Sequence, residues 1–129
     1  MKARILLIED NAQNRYLANF LLNRRGHEIL EAETGPLGLE MAARERPDLI
    51  LLDIQLPGMD GHAVARALKA DPALKAIPVV AVTSYAMAGD REKCLEAGAE
   101  GYIEKPINPE TFVEEVERFL RPTLEGAAP

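Results

Sequence analysis

At 129 residues and 14.2 kDa, with 47% hydrophobic and 28% charged residues, the chain has the size and composition of one soluble globular domain. Fifteen basic against 21 acidic residues give a net charge of -6, which argues against direct nucleic-acid binding because phosphate contacts need a basic stripe; Arg24 and Arg25 sit where a helix ends, and cations there favour the dipole. The single cysteine, Cys94, excludes an internal disulfide and, with no Cys or His cluster beside it, a structural zinc site, while the lack of an apolar run near the roughly 20 residues of a bilayer span and of a signal-peptide pattern points to a cytoplasmic protein with no membrane contact.

The first element is RILLI (4–8), too short and too uniformly apolar for a helix, and it reads as a strand covered on both faces. Residues 12–25 carry a helical pattern with Tyr16, Leu17, Phe20 and Leu21 on one face, stopped by Gly26. EILEA (28–32) is a weaker strand, and a helix over 36–46 starts after Thr34 and ends before Pro47. LILL (49–52) is a second strongly apolar strand. A helix over 61–70 opens behind Asp60 and places Val64 and Leu68 at i, i+4. VVAV (79–82) is the third apolar strand, followed by a helix over 90–97 that ends at Gly98 and holds Cys94 half-buried. GYIE (101–104) is a weak fifth strand. The last helix takes Asn108 as its cap and Pro109 as its first residue, with Phe112, Val113, Val116, Phe119 and Leu120 on one stripe. Residues 121–129, RPTLEGAAP, have no period, so one domain over 1–121 and a flexible tail over 122–129 are expected.

Five strands alternating with five helices predict an α/β, doubly wound (βα)5 three-layer sandwich around a central parallel sheet, with right-handed crossovers. Strand order is not written in the sequence. The common order for two-way winding is the flavodoxin-like 2-1-3-4-5, in which ligands sit at the carboxyl ends of the strands near the switch between strands 1 and 3.

That rule directs attention to the residues at the carboxyl end of each strand. Strand 1 ends in Glu9-Asp10, strand 3 in Asp53, strand 4 in Thr83-Ser84 and strand 5 in Lys105-Pro106, while strand 2, outermost in this order, ends in the turn residues Glu33-Thr34-Gly35. Taken singly, Asp10 reads as a helix cap, Thr83 as an ordinary strand threonine and Lys105 as a solvated charge. Together they form a site with complementary parts. Two carboxylates about 5 Å apart at an effective dielectric near 20 repel by roughly 3 kcal/mol, so Glu9, Asp10 and Asp53 together need neutralising. A divalent cation does this, and an all-oxygen, half-open donor set suits Mg2+; protonation of one acid, its pKa raised by its neighbours, is the alternative. Mg2+ would also screen an incoming phosphoryl group, leaving Asp53 as the natural nucleophile, Lys105 as a mobile counter-charge for one phosphoryl oxygen and Thr83 as a hydroxyl donor to another, with Ser84 small enough to leave an entry path.

ILLIEDN, PDLILLDIQLPGMDG, IPVVAVTS and GAEGYIEKPI, in this order and at these separations, resemble the receiver domain of two-component response regulators over residues 3–121, and the chain is similar to single-domain receivers of the DivK type. The resemblance implies a CheY-like fold and an Asp53 that accepts a phosphoryl group from a histidine kinase or phosphotransfer protein. It implies Mg2+ held by the Asp10 and Asp53 side chains and the Gln55 backbone carbonyl, with Glu9 acting through water. Thr83 and Tyr102 would form a switch pair that reshapes the face of helix 4, strand 5 and helix 5, where a downstream protein target docks. The peptide between Lys105 and Pro106 would be cis. Such a protein is no conventional enzyme: it catalyses its own phosphorylation and slow autodephosphorylation, as a monomer or weak dimer. Glu9 stands where aspartate is more frequent, and Gln55 and Tyr85 occupy variable positions flanking the phosphoryl group; bulky Tyr85 is expected to slow attack by water.

Three other readings compete. A Mg2+-dependent phosphatase of the haloacid dehalogenase class would need an acid two residues after the nucleophile, where this chain has Gln55. A nucleotide or flavin module would need a glycine-rich loop after strand 1, where acids instead repel phosphate. A non-phosphorylated receiver-like scaffold for protein binding is disfavoured by the intact set of acids, Thr83 and Lys105. No output domain is expected after residue 121, which implies signalling by protein contact.

Overall fold

The computed structural model describes residues 2–56, 58–84 and 89–125. In chain order the elements are β1 (Arg4–Ile8), α1 (Ala12–Arg24), β2 (Glu28–Ala32), α2 (Gly35–Glu45), β3 (Leu49–Asp53), α3 (Gly61–Ala70), β4 (Val79–Thr83), α4 (Asp90–Glu96), β5 (Gly101–Glu104) and α5 (Phe112–Glu125). The strands pair in parallel as one sheet in the order β2-β1-β3-β4-β5, as expected. Every residue of β3 and β4 is buried, whereas only Ala32 is buried in the edge strand β2. That contrast explains why the central strands read as unbroken apolar runs and β2 does not.

Alternate side chains of each strand enter opposite layers. Leu6, Ile8, Ile50 and Leu52 pack with Ala42 of α2 and Val64 and Leu68 of α3. Ile5, Leu7, Leu49 and Leu51 pack with Ala18 and Leu22 of α1 and Phe112, Val116 and Leu120 of α5. Each fully buried Leu or Ile contributes roughly 2 kcal/mol of transfer free energy, so the two layers together hold the strand ends in register.

Three local expectations are corrected. On α1 the core-facing residues are Ala18 and Leu22; Tyr16 and Phe20 are exposed and stack on one another with centroids 6.2 Å apart. A small residue brings the helix close to the sheet, so the larger i, i+4 aromatic pair ended on the outside, where Arg24 lies 5.5 Å over the Phe20 ring. At α5, Asn108 does cap: its side chain accepts from the Glu110 N–H (2.9 Å) and its carbonyl from Thr111 and Phe112. Regular helix begins only at Phe112, however, and it continues to Glu125, past the point where the tail was expected. Pro122 costs that helix one N–H bond without ending it. Cys94 is fully buried rather than half-buried, and burial pushes its thiol pKa up.

At the opposite end of the sheet from the carboxyl termini lies a buried pair that the sequence does not announce. His27 accepts the Ala3 N–H at Nδ1 (3.0 Å), so its proton sits on Nε2, 2.8 Å from Glu117 Oε2; Glu117 also accepts from Arg25 Nη2 (2.8 Å). Both side chains are buried, and each buried polar group has a partner, so the pair ties α5 to the start of β1 and β2.

Candidate functional site

The carboxyl ends of β1, β3, β4 and β5 lie side by side because of the strand order, and their last residues converge. Asn11, not Asp10, caps α1, its side chain accepting from the Asn14 N–H (2.9 Å), so the exposed Asp10 carboxylate is not spent on the helix. One oxygen from each of Glu9, Asp10 and Asp53 lies within 4.8 Å of the others. Glu9 and Asp53 are buried, at 3% exposure each, and Asp10 faces solvent, so the cluster is walled on one side and open on the other.

Lys105 enters this cluster from the end of β5. Its Nζ is 2.8 Å from Glu9 Oε1 and 3.2 Å from Asp53 Oδ2. Burial alone would lower the Lys105 pKa, but the hydrogen bond to Glu9 and the charges of Asp53 and Glu9 outweigh it and raise it, so the ammonium persists across the neutral range. The Lys105–Pro106 peptide is cis. Asp53 Oδ1 accepts the Gln55 N–H at 2.9 Å. Glu9 Oε2 accepts the Asn11 N–H at 3.2 Å.

Glu9 carries the electrostatic strain of the cluster. Burial first, and then the neighbouring Asp53, push its pKa from 4.5 up to about 7, against the opposing pull of Lys105. Three carboxylates facing one ammonium leave two negative charges when all are ionised, the charge of one divalent cation. The donor set is all oxygen, compact and open on the Asp10 side, and it fits a hard cation that keeps part of its water shell.

Thr83 is buried as the last residue of β4, and its carbonyl accepts the Lys105 N–H at 2.8 Å, which joins β4 to the lysine. Tyr102 is half-buried on β5 beside Ala81, on the same side of the sheet as α3 and α4. Burial raises its phenol pKa. Ser84 is exposed at the mouth, and both its N–H (3.2 Å) and its hydroxyl (2.6 Å) donate to Gln55 Oε1. Glu9, Asp10, Asp53 and Lys105 are thus brought together, with Gln55, Thr83 and Ser84 around them. Tyr85 and Pro57 lie outside the described residues.

Two features were missed from sequence. Gln55 had been placed beside the phosphoryl group and its backbone carbonyl on the metal, but the contact of its side chain with Ser84 had not been foreseen. Gly61, read simply as the first residue of a helix, presses against the end of β3: a Cβ there would lie 2.5 Å from Ile54 Cα and 2.7 Å from the Asp53 carbonyl oxygen. A glycine directly after a capping aspartate was the available signal, and no local pattern distinguishes it from an ordinary helix start.

Comparison with known proteins agrees with this geometry. Residues 5–117 match the response regulator receiver domain family. The polar-differentiation response regulator DivK of Brucella anthropi is 42% identical over 120 residues, covering 93% of this chain and 98% of DivK. Among solved structures, a CheY-like receiver domain protein from Methanospirillum hungatei superposes with a TM-score of 0.89 at 28% identity, over 98% of this chain and all of that one. The receiver domain of a sensor histidine kinase from Pseudomonas aeruginosa, solved with a magnesium ion coordinated in its active-site cleft, superposes with a TM-score of 0.83 at 33% identity over 97% and 99% of the two chains. With its acid cluster and lysine at the carboxyl end of a 2-1-3-4-5 sheet, the chain belongs to the receiver domains of two-component response regulators.

Proposed function

We propose that Asp53 accepts a phosphoryl group from a histidine kinase or phosphotransfer protein in the cytoplasm, in a Mg2+-dependent reaction, and that the modification changes the α4–β5–α5 face toward a downstream protein. The observation that carries this reading is the placement of Lys105 Nζ between Glu9 and Asp53 in a cluster of three carboxylates. A carboxylate oxygen of Asp53 attacks phosphorus, the bond from phosphorus to the donor breaks, and the donor leaves with the electron pair. Lys105 and the Thr83 hydroxyl meet the negative oxygens of the transferred group. Asp10, Asp53 and the Gln55 carbonyl are the residues that would hold Mg2+, with Glu9 acting through water; bound there, the cation lowers the charge repulsion between the acids and the donor. Thr83 and Tyr102 share one side of the sheet, the side that bears α4, which supports their assignment as the switch pair.

Incubation with acetyl phosphate and Mg2+ is expected to add one phosphoryl group per chain by intact mass, and chelation of Mg2+ with EDTA to abolish the addition. Addition that proceeds equally in EDTA contradicts the metal requirement.

The Glu9 carboxyl makes the site pH-dependent. Its folded pKa, about 7, lies above its ordinary 4.5, so the proton is favoured by the fold. In the metal-free protein the stability contributed by this group is therefore fully present below pH 4.5 and is lost as pH rises through about 7. Mg2+ has the opposite preference, since it binds the ionised cluster and displaces the proton. Its affinity is expected to fall by up to about tenfold per unit below the Glu9 pKa. Titration calorimetry at pH 6 and pH 8 in two buffers checks this through proton release, and Glu9→Gln is expected to flatten the dependence.

A further inference from the structure

The Gln55–Ser84 contact has no place in the chemistry so far, yet it spans the mouth of the site. Gln55 is held to the acceptor, its N–H donating to Asp53 Oδ1 at 2.9 Å. Its side chain crosses from the β3 loop to the end of β4, where Oε1 receives two donors from one residue, the Ser84 N–H at 3.2 Å and the Ser84 hydroxyl at 2.6 Å. Two donors converging on one atom fix the amide orientation, since the Nε2 end could accept neither. Asp53 is paired across the sheet with Val82, two residues before Ser84, so these donors stand beside the acceptor carboxylate.

A phosphoryl group on Asp53 brings three oxygens that need hydrogen-bond donors. Lys105 serves one and the Thr83 hydroxyl another; the Ser84 N–H and hydroxyl are two further donors at the mouth, and both are occupied by Gln55 Oε1. We propose that the Gln55 carboxamide is a displaceable stand-in for a phosphoryl oxygen, which keeps the Ser84 donors satisfied in the resting protein and must swing out when Asp53 is modified. Gln55 is then a positioning residue that sets how readily the phosphoryl group is admitted. The inference rests on Asp53 as the phosphoacceptor.

Removing the stand-in leaves the Ser84 donors to water, an easier competitor to displace. Gln55→Ala is expected to phosphorylate with acetyl phosphate and Mg2+ about fivefold faster than the wild type, the factor one net hydrogen bond provides. Gln55→Glu, a charged acceptor that holds the same donors more tightly, is expected to be slower than the wild type. A spectroscopic readout separates this role from a structural one. In the resting proteins the Ser84 amide resonance differs between wild type and Gln55→Ala; after phosphorylation the two converge, because the same phosphoryl oxygen then holds that N–H. A Ser84 difference that survives phosphorylation, or equal rates in the three proteins, overturns the stand-in while leaving Asp53 as acceptor. A wild type that takes no phosphoryl group at Asp53 overturns both.

Discussion

Lys105→Met is expected to destabilise the metal-free protein by about 3 kcal/mol, the low end of the cost of stripping one partner from a buried ion pair. The low end applies because Glu9, already close to protonation at neutral pH, can take up a proton and absorb part of the lost charge. What remains is the Asp53 carboxylate, 3% exposed, with the Gln55 N–H as its donor. Saturating Mg2+ is expected to recover much of the loss, since a cation in the cluster replaces the missing ammonium, whereas the phosphorylation rate stays low because Mg2+ cannot also serve the phosphoryl oxygen that Lys105 meets. Urea unfolding in EDTA and in Mg2+, alongside the acetyl phosphate reaction, reads both effects. An equal loss of stability under the two conditions would mean that Lys105 and the metal do not act on the same charges.

Gly61→Ala probes the other side of the acceptor. The added methyl would lie 2.5 Å from Ile54 Cα and 2.7 Å and 2.9 Å from the carbonyl oxygens of Asp53 and Ile54. These are backbone atoms, so no side-chain rotation relieves the clash, and the Gly61 N–H bond to the Ile54 carbonyl (3.1 Å) must stretch. The expected cost is about 3 kcal/mol, at the upper end for overpacking. Displacing the end of β3 also moves Asp53, and a shift near 1 Å in a reacting group lowers a rate by about a hundredfold. Gly58→Ala is the control. Gly58 has a φ of +80° with nothing within 4 Å of its Cβ position, so alanine there meets only backbone strain of about 1 kcal/mol and leaves Asp53 in place. Thermal unfolding together with initial phosphorylation rates distinguishes the two glycines; a Gly61→Ala protein as stable as the wild type would contradict the packing described here.

Much of the site was legible because its residues sit immediately after short apolar runs, and a run buried on both faces can only be a central strand. Asp53 and the Glu9-Asp10 pair are of this kind; Lys105 follows the weaker edge strand β5, only partly buried, and was read from its place at a strand end. Their convergence was not legible in the same way, because the strand order is set by non-local pairing and had to be taken from what is common for the topology. Residues whose roles depend on distant partners stayed hidden. His27 and Glu117 are 90 positions apart and meet only once β2 and α5 are placed, and Gln55 meets Ser84 across 29 positions. On α1 the large rings of Tyr16 and Phe20 outweighed Ala18 in the hydrophobic pattern, although close approach to a sheet favours the smaller residue. The Glu9 pKa depends on depth of burial, which the sequence near residue 9 does not record.

The most direct test is to phosphorylate the protein with acetyl phosphate and Mg2+, reduce it with borohydride, which converts an aspartyl phosphate to homoserine, and sequence the resulting peptides by mass spectrometry. Homoserine is expected at residue 53, and none in Asp53→Asn treated in parallel. Homoserine at Asp10 or elsewhere, or equal phosphate uptake by Asp53→Asn, would contradict it.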